Sequence, residues 1–199
     1  MRLKIVQVGE PVLRKRARPL LLEEIALPET QQLIASMQET MRDAPGVGLA
    51  APQVGVPLQL AVIEDRSEYS KDIPADRLAE RERLAVPFQV LINPNIVEQS
   101  DEQVEFFEGC LSLGGFSALV KRSRQVAVEY LDEHGQPRRL EAQGWYARIL
   151  QHEIDHLNGR LYIDRMEPRS FMSIDNLGRY WKDMPVQSIR QALEVDEPK

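Results

Sequence analysis

Gln151-His152-Glu153-Ile154-Asp155-His156 is the stretch on which the reading of this chain turns. An α-helix makes a turn about every 3.6 residues, so His152 and His156 share a face and both imidazoles can reach one metal ion. Glu153 then stands beside that ion, placed to handle the protons of a coordinated water. The preceding run, Trp145-Tyr146-Ala147-Arg148-Ile149-Leu150, contains neither Pro nor Gly, and Asn158-Gly159 offers a C-terminal stop. These features predict a helix over about 145–157.

A catalytic zinc-like centre takes three protein ligands and keeps one position for water, so the third ligand decides the class. Gly159 fits the spacing of metzincin proteases, but Tyr162 stands where their third histidine belongs. Glu167 is the nearest acid of the kind gluzincin proteases recruit from a second helix, and Pro168 disfavours helix there. Glu194 and Glu197 fall in an acidic tail, and His134 reads as a solvated turn tip in Asp132-Glu133-His134-Gly135. The sole cysteine, Cys110, lies in Glu108-Gly109-Cys110-Leu111-Ser112 after the strand-like run Gln103 to Phe107. A lone cysteine is commonly a small buried hydrophobe. Gly109, however, permits close backbone approach, and thiolate is a good ligand for iron or zinc, so Cys110 is favoured as the third ligand. A structural site, by contrast, closes with four protein ligands, and the chain offers three convincing ones.

A third segment, Gly46-Val47-Gly48-Leu49-Ala50-Ala51-Pro52-Gln53, follows an amphipathic helix expected from Thr30 to about Arg42, with Leu33, Ile34, Met37 and Met41 on its apolar face. Its glycines let the chain run close to other backbone, and Gln53 supplies an amide that both donates and accepts.

Together, Gly46 to Gln53, Glu108 to Ser112 and Gln151 to His156 resemble the peptide deformylase family, whose members carry these three motifs in this order. The resemblance extends to Ile5 through Arg14 and to Gly144 through Met166. It implies a metal-dependent hydrolase that removes the N-formyl group from nascent polypeptides. By the same resemblance Cys110, His152 and His156 hold one divalent ion, most commonly ferrous iron, with nickel, cobalt or zinc able to replace it. Glu153 is then the general base, while the Gln53 amide and the Leu111 backbone N–H donate to the oxyanion. Backbone at Val47, Gly48 and Gly109 is expected to pair with the substrate as an added strand. Ile149 and Trp145, one and two turns before His152, are expected either to face the pocket for the first side chain or to be core residues. Arg148 is expected to be exposed near its rim. After Ser112 the run Leu113-Gly114-Gly115-Phe116-Ser117-Ala118 lacks the proline and arginine of many bacterial members, which leaves contacts beyond the first substrate residue open.

The chain has 199 residues, a size that suits a single domain over 1–199, with a charged surface insertion over 64–86 holding about one helical turn and a C-terminal extension over 167–199. The fold class is α+β, with mostly antiparallel sheets around the metal-binding helix. Strands are expected near 57–63, 88–98, 103–108, 119–131 and 137–143, the last two joined as a hairpin at Asp132–Gly135. A net charge of −6 gives no sign of nucleic-acid binding, although the nascent-chain substrate implies visits to the ribosome. No apolar run is long enough to span a membrane. The basic cluster Arg14, Lys15, Arg16 and Arg18 reads as solvated surface, and a single cysteine fits a cytoplasmic enzyme.

Overall fold

Alternating and continuous apolar runs set out eight strands among residues 2–195, the part described by the computed structural model, and every ladder between them is antiparallel. In chain order the elements are α1 (Leu22–Ile25), α2 (Pro28–Asp43), β1 (Gly48–Ala50), β2 (Leu60–Asp65), α3 (Ala75–Glu80), β3 (Val86–Gln99), β4 (Gln103–Gly109), β5 (Phe116–Ser123), β6 (Gln125–Leu131), β7 (Pro137–Gln143), α4 (Gly144–Leu157), β8 (Met172–Ser173), α5 (Ile174–Asn176) and α6 (Val186–Ala192). One sheet has the order β1-β2-β3-β6-β7 and the other β4-β5-β8, an α+β arrangement as expected. Glu197 and the rest of the tail from residue 196 lie outside the described residues.

Helix α2 starts on Pro28, whose fixed φ suits a first helical position, and buries Ile34, Met37 and Met41 at helical spacing. They pack on Leu49, Leu60, Val62, Val90 and Ile92 of the larger sheet. Each such buried side chain stabilises the fold by about 1.5–3 kcal/mol. Helix α4 buries Ala147, Ile149, Leu150, Ile154 and Leu157 and touches β1, β2, β3, β6 and β7 of one sheet and β5 of the other. Its start is fixed from outside: the Gly144 N–H donates to the Arg124 carbonyl and the Trp145 N–H to the Arg81 carbonyl. Gly144 has φ +59°, and a Cβ there would meet Glu82 Cβ at 2.4 Å, so only glycine fits this corner.

The expected strand over 119–131 is two strands in different sheets. Its residues are continuously strand-forming, but the chain bends at Arg124, whose guanidinium bonds both Glu82 and Glu102 and whose N–H donates to the Glu102 carbonyl. That anchor ends the pairing of β5 with β4 and turns the chain into β6, which pairs with β3 and β7. The β6–β7 hairpin forms with Leu131 opposite Pro137. In the charged stretch a 3-10 turn, Ser67–Ser70, precedes α3, so it holds more helix than one turn. Its end is fastened down by Arg83, which grips Asp65 with two bonds of 2.8 and 2.9 Å.

Candidate active site and metal centre

The site forms where α4 meets the end of β4. His152 and His156 sit one turn apart on α4, with ring centroids 5.0 Å apart. Strand β4 delivers Cys110 just past Gly109, and its Sγ lies 3.3 Å from His156 Nε2. One ligand atom from each of Cys110, His152 and His156 falls within 4.8 Å of the others, a group able to hold a metal ion. The sulfur also accepts the Ser112 N–H at 3.4 Å and the Gln53 side-chain amide at 3.5 Å. Gln53 is oriented by its own carbonyl oxygen, which accepts the Ala50 N–H at 2.8 Å.

Glu108, two residues before Cys110 and on the same side of the strand, stands out in the sequence only as part of a motif. It is buried, and its Oε2 lies 3.0 Å from His152 Nδ1, which leaves Nε2 of that ring for the site. Arg122 grips both of its oxygens at 2.9 Å, and Arg148 adds a third guanidinium bond at 2.6 Å. Burial would raise the Glu108 pKa, but the bonds from His152 and Arg122 overcome it and hold the carboxyl well below the usual range. Arg148, expected to be exposed, is 1 % exposed. The reason is that acceptors wait for it inside: Glu108 and the carbonyls of Val120 and Val104. The motif's Gln151 spans the gap to the smaller sheet, accepting the Ser123 N–H and donating to the Ser123 carbonyl.

Glu153 faces the other way. It is buried, its Oε2 has no hydrogen-bond partner among the described residues, and burial pushes its pKa up to about 7. Val47, Gly48, Gln53, Gly109, Cys110, Leu111, Trp145, Ile149, His152 and Glu153 all line one cleft of about 440 Å³, with His156 buried behind it. Ile174, at the start of α5, joins the same wall, and no local pattern in the sequence signals it. The cleft runs between β1 and β4, each the end strand of its sheet. A larger hollow of about 1060 Å³, beside α3, β6 and β7, contains none of these groups. His134 is solvated, with 75 % of its side chain exposed. Tyr162 stacks on His152 with centroids 6.4 Å apart instead of offering a ligand nitrogen.

The polypeptide deformylase family model matches residues 2–171. A chloroplastic peptide deformylase 1A of Solanum lycopersicum is 46 % identical over 173 residues, 87 % of this chain and 62 % of that protein. Peptide deformylase 1 of Bifidobacterium longum is 46 % identical over 184 residues, 92 % of this chain and 82 % of that protein. The chain thus spans less than two thirds of the plant relative's length. Among solved structures, a Met-Ala-Ser-bound class I type b peptide deformylase from Acinetobacter baumannii superposes with a TM-score of 0.75 at 34 % identity, covering 83 % of this chain and 99 % of that one. With the family model, these relatives and the fold in agreement, this chain belongs to the polypeptide deformylase family.

Proposed function

We propose that this protein is a metal-dependent hydrolase that removes the formyl group from N-formylmethionyl peptides, releasing formate, and that residues 1–199 form one catalytic domain. One observation carries the reading: a thiol and two imidazoles converge beside a buried carboxylate whose Oε2 has no hydrogen-bond partner among the described residues, at the floor of a cleft between two open sheet edges. The donor set fits one divalent ion. His152 Nε2 is left free by the Glu108 bond, the sulfur is faced by N–H donors that suit a thiolate, and three protein ligands are the number catalytic centres use. Cys110, His152 and His156 would hold the ion, with ferrous iron proposed and nickel, cobalt or zinc as alternatives that suit the same ligands. When bound, it supplies Lewis acidity toward a water and a carbonyl oxygen.

Glu153, with a pKa near 7, takes the water proton and later returns it to the departing amine. Gln53 Nε2 and the Leu111 N–H, at the start of the 3-10 turn Leu111–Leu113, donate to the oxygen on which charge develops. The backbone of Val47, Gly48 and Gly109 adds the peptide as a strand, a mode that tolerates many sequences. Trp145 and Ile149 form the apolar wall for the methionine side chain. The Met-Ala-Ser peptide in the Acinetobacter relative accords with that choice. No helix among the described residues is long and apolar enough to cross a membrane. Action on nascent chains at the ribosome, in the cytoplasm, belongs to the same proposal.

The test is formate release from a formyl-methionyl peptide by anaerobically purified protein of known metal content, beside Glu153→Ala. The parent should turn over, and the variant should lose about 10²–10⁴ in rate while keeping its metal. Equal rates in the two would remove Glu153 from the chemistry.

A further inference from the structure

We propose that Arg148 is a positioning residue that fixes the distance between Cys110 and the two histidines. The inference rests on the metal-site reading above. The donors come from two separate elements, α4 and the end of β4, so any slide of helix against strand spreads them. Misplacement by about 1 Å at such a centre can cost about a hundredfold in rate.

Arg148 spans that junction. It stands one turn before His152 on α4, and its guanidinium donates to Glu108 Oε1 at 2.6 Å and to the Val104 carbonyl at 2.7 Å, both on β4. A third bond, 2.9 Å to the Val120 carbonyl, reaches β5. Its Cζ lies 5.3 Å from the centre of the Phe106 ring, between those two β4 contacts in sequence. One side chain of the histidine-bearing helix therefore holds the cysteine-bearing strand just before the cysteine.

The same bond completes Glu108. A carboxylate offers about four acceptor positions, and all are used: Arg122 Nε and Arg148 Nη1 on Oε1, Arg122 Nη2 and His152 Nδ1 on Oε2. The carboxylate cannot rotate away from His152, and the ring is held with Nε2 toward the site. Stability alone does not favour this charge, because well-packed apolar residues commonly do as well as a buried ion pair, and Arg148 Nε has no hydrogen-bond partner among the described residues.

The experiment loads the full-length protein with cobalt(II) and reads affinity by chelator competition and geometry by the visible spectrum. Arg148→Met should weaken cobalt binding about 10–100-fold, the cost usual for a group that orients a ligand, and should shift the bands that report sulfur and imidazole ligation. Arg148→Lys, which keeps the charge and a donor, should recover part of the affinity. Arg165→Met breaks the neighbouring ion pair with Asp155 without touching β4 and should leave both readouts at the parental values. Parental affinity and spectrum in folded Arg148→Met would overturn the inference. If that variant does not fold, Arg148→Lys decides, because full parental behaviour there would overturn it equally. A parent that takes up no cobalt would instead overturn the metal reading itself.

Discussion

Glu153 and Asp155 are two carboxylates on one helix, two residues apart and so roughly 200° around its axis. Both are buried, at 4 % and 6 % exposure, yet they meet opposite surroundings. Glu153 leaves Oε2 without a hydrogen-bond partner among the described residues, and burial lifts its pKa to about 7. Asp155 is also penalised by burial, but Arg165 binds both of its oxygens, at 2.7 and 2.8 Å, and Arg122 binds one of them, so its pKa is lowered. An unpaired buried acid costs stability and can move a proton near neutral pH; a saturated one does neither. The helix thus carries one carboxylate whose surroundings suit proton transfer and another that holds the layers together, and the neighbours decide which is which.

The largest break in this contrast comes from removing the metal centre that Glu153 is proposed to serve. Cys110→Ala deletes the only donor that does not come from α4. Metal content measured after purification should fall to a small fraction of the parent, and deformylation should disappear with it. Full occupancy would overturn the ligand assignment. Next comes Asp155→Ala, which takes from the buried Arg122 one of its two carboxylate partners and releases the exposed Arg165 to solvent. Removing one partner of a buried pair costs about 3–5 kcal/mol, which urea unfolding of parent and variant would register. The metal content of the folded variant should remain parental. A variant as stable as its parent would show that the arginine clamp is not structural.

The two carboxylates also differ in how legible they were. His152, Glu153 and His156 follow from helical spacing alone, because a motif within one turn needs only local geometry. Cys110 emerged by elimination among few candidates, and the order of the three motifs along the chain carried the family. Asp155 sits inside the same motif yet offers no signal, since its partners Arg122 and Arg165 come from other elements. Arg148 failed for the same reason: an arginine is expected at the surface unless acceptors are known to wait inside, and Val104, Glu108 and Val120 are brought to it only by the fold. The bend at Arg124 was hidden because β5 and β6 are equally strand-forming, and only Glu82 and Glu102, distant in sequence, mark the break. The helices and strands that periodicity does mark lie within a few residues of their places, apart from the divided run at 119–131, whereas the short α1, β1, β8 and α6 carry no such pattern; the sheet to which β5 and β6 each belong depends on long-range charge pairs.

The smallest and sharpest change moves Glu153 without removing it. Gly48 lies in β1 beneath that side chain, and a Cβ built on it would stand 2.3 Å from Glu153 Oε1 and 2.7 Å from its Cδ. Atoms cannot approach so closely, so something gives way. The obstacle is the tip of a flexible side chain and not backbone, and Gly48 has no positive φ that alanine would resist. Glu153 should therefore swing to another rotamer while β1 keeps its pairing with β2. In Gly48→Ala the midpoint of thermal unfolding should stay within about 2–4 °C of the parent, the shift that corresponds to roughly 1 kcal/mol in a chain of this size. Turnover should nevertheless fall, by up to about a hundredfold for a group displaced by about 1 Å, with metal content unchanged. Parental turnover in this variant would mean that the carboxylate works from more than one position, and the contrast with the clamped Asp155 would then be one of mobility as well as of charge.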